Sequence, residues 1–260
     1  MIHRRTLLRA GVGGIGAALL SPLWPGDAAA ERGVRDANLP AYATEPVKQP
    51  GRILGVVRYA GEAGAPARAK LSGDCAYCRT FDLRQEQLLV ARGGGLRNVV
   101  VMLQTIARGK PPEQPPTLAE YHCTFVPHVL SLTAGNKVLL HNRDPVLNTF
   151  HALALPSGRT LFNVGTPRQD QKLYRRIARP GVVQVRCDVH PWEEAYVVAM
   201  GHPYHTVTDP RGAFVLDQVP PGRHTLLLWH ERLGTLKQTV QLAPGGSARV
   251  ELSYPAPRQR

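Results

Sequence analysis

Short runs of apolar and β-branched residues, each bounded by glycine, proline or asparagine, set the pattern of this chain. Such runs predict strands joined by turns. The first is Gly51 to Tyr59, followed by the turn-forming stretch Gly61 to Pro66. Gln87 to Ala91 and Asn98 to Leu103 read as a strand pair across Gly93-Gly94-Gly95, and Ala107 to Thr117, with four prolines, reads as a surface loop. Further runs occupy Val129 to Leu140, broken at Gly135-Asn136, then Gly181 to Val185 and Ala195 to Val198. Only Asp170 to Ile177 has a helical reading, so the expected fold is all-β.

The texture changes after Met200. A strand, the turn Asp209-Pro210-Arg211-Gly212, a strand to Leu216, the turn Pro220-Pro221-Gly222 and strands at Thr225 to His230, Leu236 to Leu242 and Ala248 to Leu252 indicate a small antiparallel sandwich. About fifty residues are few for an independent core, so this part either packs on the preceding sandwich or borrows the strand Arg52 to Tyr59. The expected division is therefore residues 1–30 as a leader, 31–50 as a polar, proline-bearing flexible linker, 51–200 as a first sandwich with its core in 118–200, and 201–256 as a second.

Charge and the first thirty residues change the picture. His3-Arg4-Arg5-Thr6-Leu7-Leu8-Arg9, a short glycine-rich apolar stretch from Ala10 to Leu20, and Asp27-Ala28-Ala29-Ala30 have the order of a twin-arginine signal peptide with a small-residue cleavage site. The apolar stretch is too short for a stable membrane span. A periplasmic or secreted bacterial protein is expected, in a compartment that permits disulfides. The formal charge of +13 is scattered along the chain. It suits solubility and docking to an acidic partner; without basic runs interleaved with aromatics it gives no reason to expect nucleic acid.

The chemistry concentrates in Cys187-Asp188-Val189-His190-Pro191-Trp192-Glu193. A thiol and an imidazole three residues apart, on a loop between two β-rich runs, suit copper or zinc. Cys75-Ala76-Tyr77-Cys78 is open to three readings: a redox pair, half a zinc site, or part of a disulfide framework. In an oxidising compartment one disulfide is expected from Cys123 to Cys78 or Cys75, with the fourth thiol left over. His202, Tyr204, Asp209, Trp229, His230 and Glu231 read as turn and packing residues where the sandwiches meet. No Ser-His-Asp order, paired-carboxylate motif or phosphate-cradling glycine loop appears in its required context, so no enzymatic activity is expected.

In their order, Phe125-Val126-Pro127, Val129 to Leu140, Asn142-Arg143-Asp144-Pro145, Asn148-Thr149-Phe150-His151 and the final Cys187-x-x-His190 loop resemble a cupredoxin of the plastocyanin type over residues 118 to 200. The segment after Met200 resembles the transthyretin-like, carboxypeptidase regulatory-like repeat. Together with Cys123-Thr124-Phe125-Val126-Pro127-His128, His202-Pro203-Tyr204 and Trp229-His230-Glu231, the chain is similar to exported bacterial cupredoxin-like proteins labelled methylamine utilisation proteins. The resemblance implies a Greek-key sandwich and a copper ligated by Cys187 and His190. At the first imidazole position it finds Asn148, which makes His151 the candidate there and His128 the reserve. At the axial methionine position it finds Glu193, a harder donor that favours Cu(II).

The expected function is an exported, non-enzymatic protein that binds one copper through Cys187, His190, His151 and Glu193, and passes single electrons or holds the ion. The alternative is a metal-free module in which the second sandwich recognises a glycan or an envelope protein.

Overall fold

The computed structural model describes residues 41–73 and 75–256. The expected signal segment and residues 31–40 of the expected linker lie outside the described residues. No helix among the described residues is long and apolar enough to cross a membrane.

Two β-sandwiches, built from four sheets, stack as successive layers. The outer sheet of the first sandwich orders β11 (Lys172–Arg176), β8 (Lys137–Asn142), β5 (Thr117–Glu120) and β6 (Phe125–Val126). Facing it lie β10 (Arg159–Thr166), β9 (Asn148–Ala154), β12 (Gly181–Arg186), β13 (Glu194–Met200) and β7 (Val129–Thr133). The third sheet orders β14 (His205–Val207), β3 (Val100–Leu103), β16 (Gly222–His230) and β17 (Gly234–Leu242). The fourth contains β15 (Ala213–Val219), β2 (Gly51–Tyr59) and β18 (Ser247–Tyr254). A small parallel pair joins β1 (Ala43–Thr44) to β4 (Arg108–Gly109).

The alternation of side chains along each strand assigns the three interfaces. Val183, Val185, Ala195, Val197 and Ala199 face the first sandwich's own core with Leu118, Leu140 and Phe150. Their neighbours Val182, Val198 and Met200 point the other way, onto Val100, Met102, Leu227 and Trp229. From the third sheet Val101, Leu103, Leu226 and Leu228 turn to the second core, where Ile53, Phe214 and Leu252 meet them. The inner strands are thus apolar on both faces, which is why they read as continuous hydrophobic runs.

Several expectations are corrected. Residues 172–176 form a strand, because Leu173 and Arg175 are half-buried between exposed neighbours and the backbone pairs with β8. Gln87 to Ala91 contributes one bridge, Val90 to Leu96, while Val100–Leu103 pairs with β14 and β16. Residue 200 is not a clean divide: the borrowing of residues 52–59 is observed, and β3 joins the second sandwich as well. The strand β2 pairs with β15 and β18, and β3 lies beside β16, so the second sandwich takes two strands from the first half of the chain. From Tyr42 onward the expected linker is docked: the Tyr42 hydroxyl donates to Lys110 O at 2.6 Å. Asp209 closes its turn by accepting from Arg211 N (2.7 Å) and Ala213 N (2.9 Å), and Gly212 takes φ +78°, where a side chain would be strained.

His128 is not at the cysteine loop. It ties the two sandwiches: Nδ1 meets Glu194 O at 3.1 Å and Nε2 meets the carboxylate of Glu231, both side chains buried. Burial opposes the charged imidazole, but the hydrogen bond and charge of Glu231 outweigh it and raise the His128 pKa; burial raises that of Glu231. Both groups hold protons more tightly folded than unfolded, so the stability they confer is greatest at low pH and declines as pH rises. His128→Gln should cost about 3–5 kcal/mol at pH 6, as expected for breaking a buried pair. In urea titrations the difference from wild type should shrink at pH 9; an equal difference at both values would contradict the assignment.

Candidate metal centre

The hairpin from β12 to β13 carries the loop 187–193. Its mouth is closed by Cys187 N donating to Glu193 O (3.3 Å) and its tip by Glu193 N donating to His190 O (2.9 Å). This fold of seven residues turns three side chains into the end of the first sandwich: Cys187, His190 and Glu193 are all buried. His190 Nδ1 lies 3.7 Å from Cys187 Sγ and 3.1 Å from Glu193 Oε1. Cys187 makes no disulfide contact.

A fourth donor comes from the facing sheet. Glu120 ends β5, fully buried, and its carboxylate shares a ligand-sized cluster with Cys187 and Glu193, their donor atoms within 4.8 Å of one another. Neither oxygen of Glu120 and neither oxygen of Glu193 has a hydrogen-bond partner among the described residues; the His190 ring is near Glu193 without the alignment of a hydrogen bond. Buried carboxylates are ordinarily paired or bound to metal, because desolvating an unpaired charge is expensive. The electrostatics agree. Burial, then the charges of Glu193 and Cys187, push the Glu120 pKa up to about 11, and burial also raises that of Glu193. His190 is opposed by burial, yet Cys187 and Glu193 push it up to about 9. Without a cation the cluster is anionic enough to retain protons that a metal would displace.

Thr149 positions the sulfur. Its N–H donates to Cys187 Sγ at 3.4 Å, its hydroxyl lies 3.7 Å from the same atom, and that hydroxyl accepts from Asp188 N at 2.7 Å. Asn148 is buried, donates to Asn142 Oδ1 at 3.1 Å, and leaves its own Oδ1 without a partner among the described residues. Asp144 is the anchor of the next turn, accepting from His122 N (2.7 Å) and Cys123 N (2.8 Å), two residues held at φ +55°.

His151 does not join the cluster. The register of β9 against β10 is unbroken through it, so it stands on the face opposite Phe150, and both ring nitrogens are engaged, Nδ1 with Asp188 Oδ1 (2.8 Å) and Nε2 with Thr160 Oγ1 (3.0 Å). The three remaining cysteines lie on the other side of His190. Cys78 Sγ is 3.7 Å from His190 Nε2, and both Cys75 and Cys123 make disulfide contact with Cys78. The indole of Trp192 covers this side, donating to Cys123 O at 3.2 Å. Glu120 carried no sequence signal and Thr149 lay unassigned inside the Asn148 to His151 phrase; only strand pairing brings them to Cys187.

No family model matches the chain, and no curated protein matches it. Among solved structures, a purple cupredoxin from Nitrosopumilus maritimus is 19% identical, with 32% of this chain and 98% of that one covered and a TM-score of 0.29. An oxidised mutant of amicyanin is 17% identical, covering 34% and 90%, TM-score 0.30. The Cu-containing nitrite reductase from Thermus scotoductus SA-01 is 19% identical, covering 35% and 23%, TM-score 0.28. These likenesses span about a third of the chain, and the chemistry of the site rests on its own side chains.

Glu120→Gln separates binding from folding. Removing an unpaired buried carboxyl should stabilise the metal-free protein by about 1–3 kcal/mol in chemical denaturation. The same change should weaken metal binding at least roughly tenfold. Destabilisation together with unchanged metal affinity would place Glu120 outside the centre.

Proposed function

We propose that this chain binds one copper ion at the end of its first sandwich, through Cys187 Sγ, His190 Nδ1 and the carboxylates of Glu193 and Glu120. The observation that carries this reading is the pair of buried carboxylates, neither with a hydrogen-bond partner among the described residues, beside a thiol and an imidazole. The donor set fits the ion: a soft thiolate, a borderline imidazole and two hard oxygens satisfy copper, and the oxygens favour Cu(II) over Cu(I). When bound, copper supplies a one-electron couple, which this ligand set biases toward the oxidised state.

The protein's own residues do the rest. Thr149 directs two donors at the sulfur, Asp144 fixes the adjoining turn, and Trp192 and Cys78 shield the imidazole from solvent. An enclosed, carboxylate-rich centre suits holding copper better than rapid exchange of electrons with a docked partner. Where electrons do pass, the scattered positive charge suits an acidic partner, with a rate that falls as salt rises. In this reading residues 1–30 export the protein, and the second sandwich, transthyretin-like in strand pattern, buttresses the first.

Copper titration followed by optical and EPR spectroscopy tests the assignment. Wild type should develop a thiolate-to-Cu(II) absorption at one equivalent. Cys187→Ala should lose it, while His151→Ala should keep it within error. Stoichiometric Cu(II) in the disulfide form of Cys187→Ala, or its loss in His151→Ala, would refute the ligand set; a colourless wild type with no copper would leave an interaction module.

A further inference from the structure

The sulfur cluster on the far side of His190 supplies no ligand in the copper reading. We propose that Cys75, Cys78 and Cys123, once reduced, hold a soft d10 cation, Cu(I) in the first instance, at a three-sulfur position adjoining the Cys187 centre. The assignment uses none of the Cys187, Glu193 or Glu120 donors and stands without that centre.

Three observations carry it. First, the three sulfurs lie within 4.8 Å of one another. A cation with metal–sulfur bonds of about 2.3 Å in a trigonal plane needs sulfurs roughly 4 Å apart, so the two contacts of Cys78 must open on reduction while the backbone stays in place. Second, donors that stabilise thiolates are already aimed at the cluster: Cys78 N–H points to Cys75 Sγ at 3.2 Å, and His190 Nε2 lies 3.7 Å from Cys78 Sγ. Third, a sulfur makes only one disulfide, yet Cys78 contacts both Cys75 and Cys123, so a disulfide always leaves one of the three as a thiol. The cluster has one sulfur more than a structural bridge requires, and three is the number a trigonal Cu(I) site uses.

Access and support are also present. Cys75 is half-buried, whereas Cys78 and Cys123 are enclosed. A cleft of about 330 Å³, lined by Lys70, Arg84, Trp192 and Cys123 among others, opens beside the Cys123 end of the cluster. The backbone of Cys123 is held by Asp144, and Tyr77, inside the Cys75–Cys78 turn, donates to the same carboxylate at 3.1 Å. One buried aspartate thus registers both segments that supply sulfur.

The occupied and disulfide states exclude each other. A phosphine reductant breaks the S–S bond of Cys78, becomes the phosphine oxide with oxygen from water, and leaves two thiols beside the third. Binding Cu(I) then releases the thiol protons. His190 stands between the two positions, with Nδ1 toward one and Nε2 toward the other.

The test is an anaerobic Cu(I) titration of the full mature chain against a chromophoric Cu(I) chelator, before and after phosphine reduction. Reduced wild type should bind one Cu(I) more than the disulfide form. Cys187→Ala should keep that gain, and Cys75→Ser should lose it. Copper X-ray absorption on reduced Cys187→Ala should show a first shell of sulfur alone, a readout that does not depend on any cysteine-cluster variant folding normally. Equal copper counts in the reduced and disulfide forms, a gain that survives Cys75→Ser, or a nitrogen- and oxygen-dominated shell would overturn the proposal. Failure of the Cys187 centre would appear separately, as copper missing from the disulfide form while the gain on reduction persists.

Discussion

Sheets that are apolar on both faces need cover on both sides, and this requirement organises the molecule. The second and third sheets are of that kind. Val182, Val198 and Met200 have no way out of water except against Val100, Met102, Leu227 and Trp229, while their neighbours along the same strands fill separate cores. Each fully buried side chain of this kind contributes about 1.5–3 kcal/mol, so the middle interface, though smaller than either core, is enough to hold the stack together. The His128–Glu231 pair adds little net attraction beside it; a buried ion pair specifies how two surfaces meet more than how strongly.

The end of the first sandwich obeys a different rule. There the fold buries Glu120 and Glu193 together and gives neither a hydrogen-bond partner among the described residues. Hydrophobic residues of similar volume would make the ion-free fold more stable. A site that trades folding stability for ligand affinity is common where function resides, and here the conflict is confined to the space between one hairpin loop and one strand end. The surrounding residues are well satisfied by contrast: Asp144 accepts three hydrogen bonds and Asn142 donates to Val146 O and Thr166 O.

What the sequence revealed follows from how local each feature is. Cys187, His190 and Glu193 share one seven-residue loop, so their proximity was legible from spacing. Glu120 reaches them only because β5 runs parallel to β8 in the opposing sheet, a pairing no local pattern announces. His151 illustrates the converse. It lies three residues beyond Asn148, but strand alternation sends it to the face opposite Asn148 and Phe150, and no bulge interrupts β9 there to bring it back. The strands themselves were readable from their β-branched runs. Their allocation to sandwiches was only partly so: the borrowing of β2 was one of two options that the small size of the second sandwich left open, while β3 enters it through a pairing with β16 far along the chain.

That allocation gives the choice of disulfide partner a mechanical meaning. Between β2 and β3, both in the second sandwich, the chain makes a long excursion that carries Cys75 and Cys78 to the end of the first. Bonding Cys78 to Cys123, 45 residues on, closes a covalent ring that passes through β3 in one body and β5 in the other. Bonding Cys78 to Cys75, three residues back, closes a ring within a single turn and links nothing else. The same sulfur atom, by its choice of neighbour, decides whether the two halves of the molecule are stitched or merely stacked.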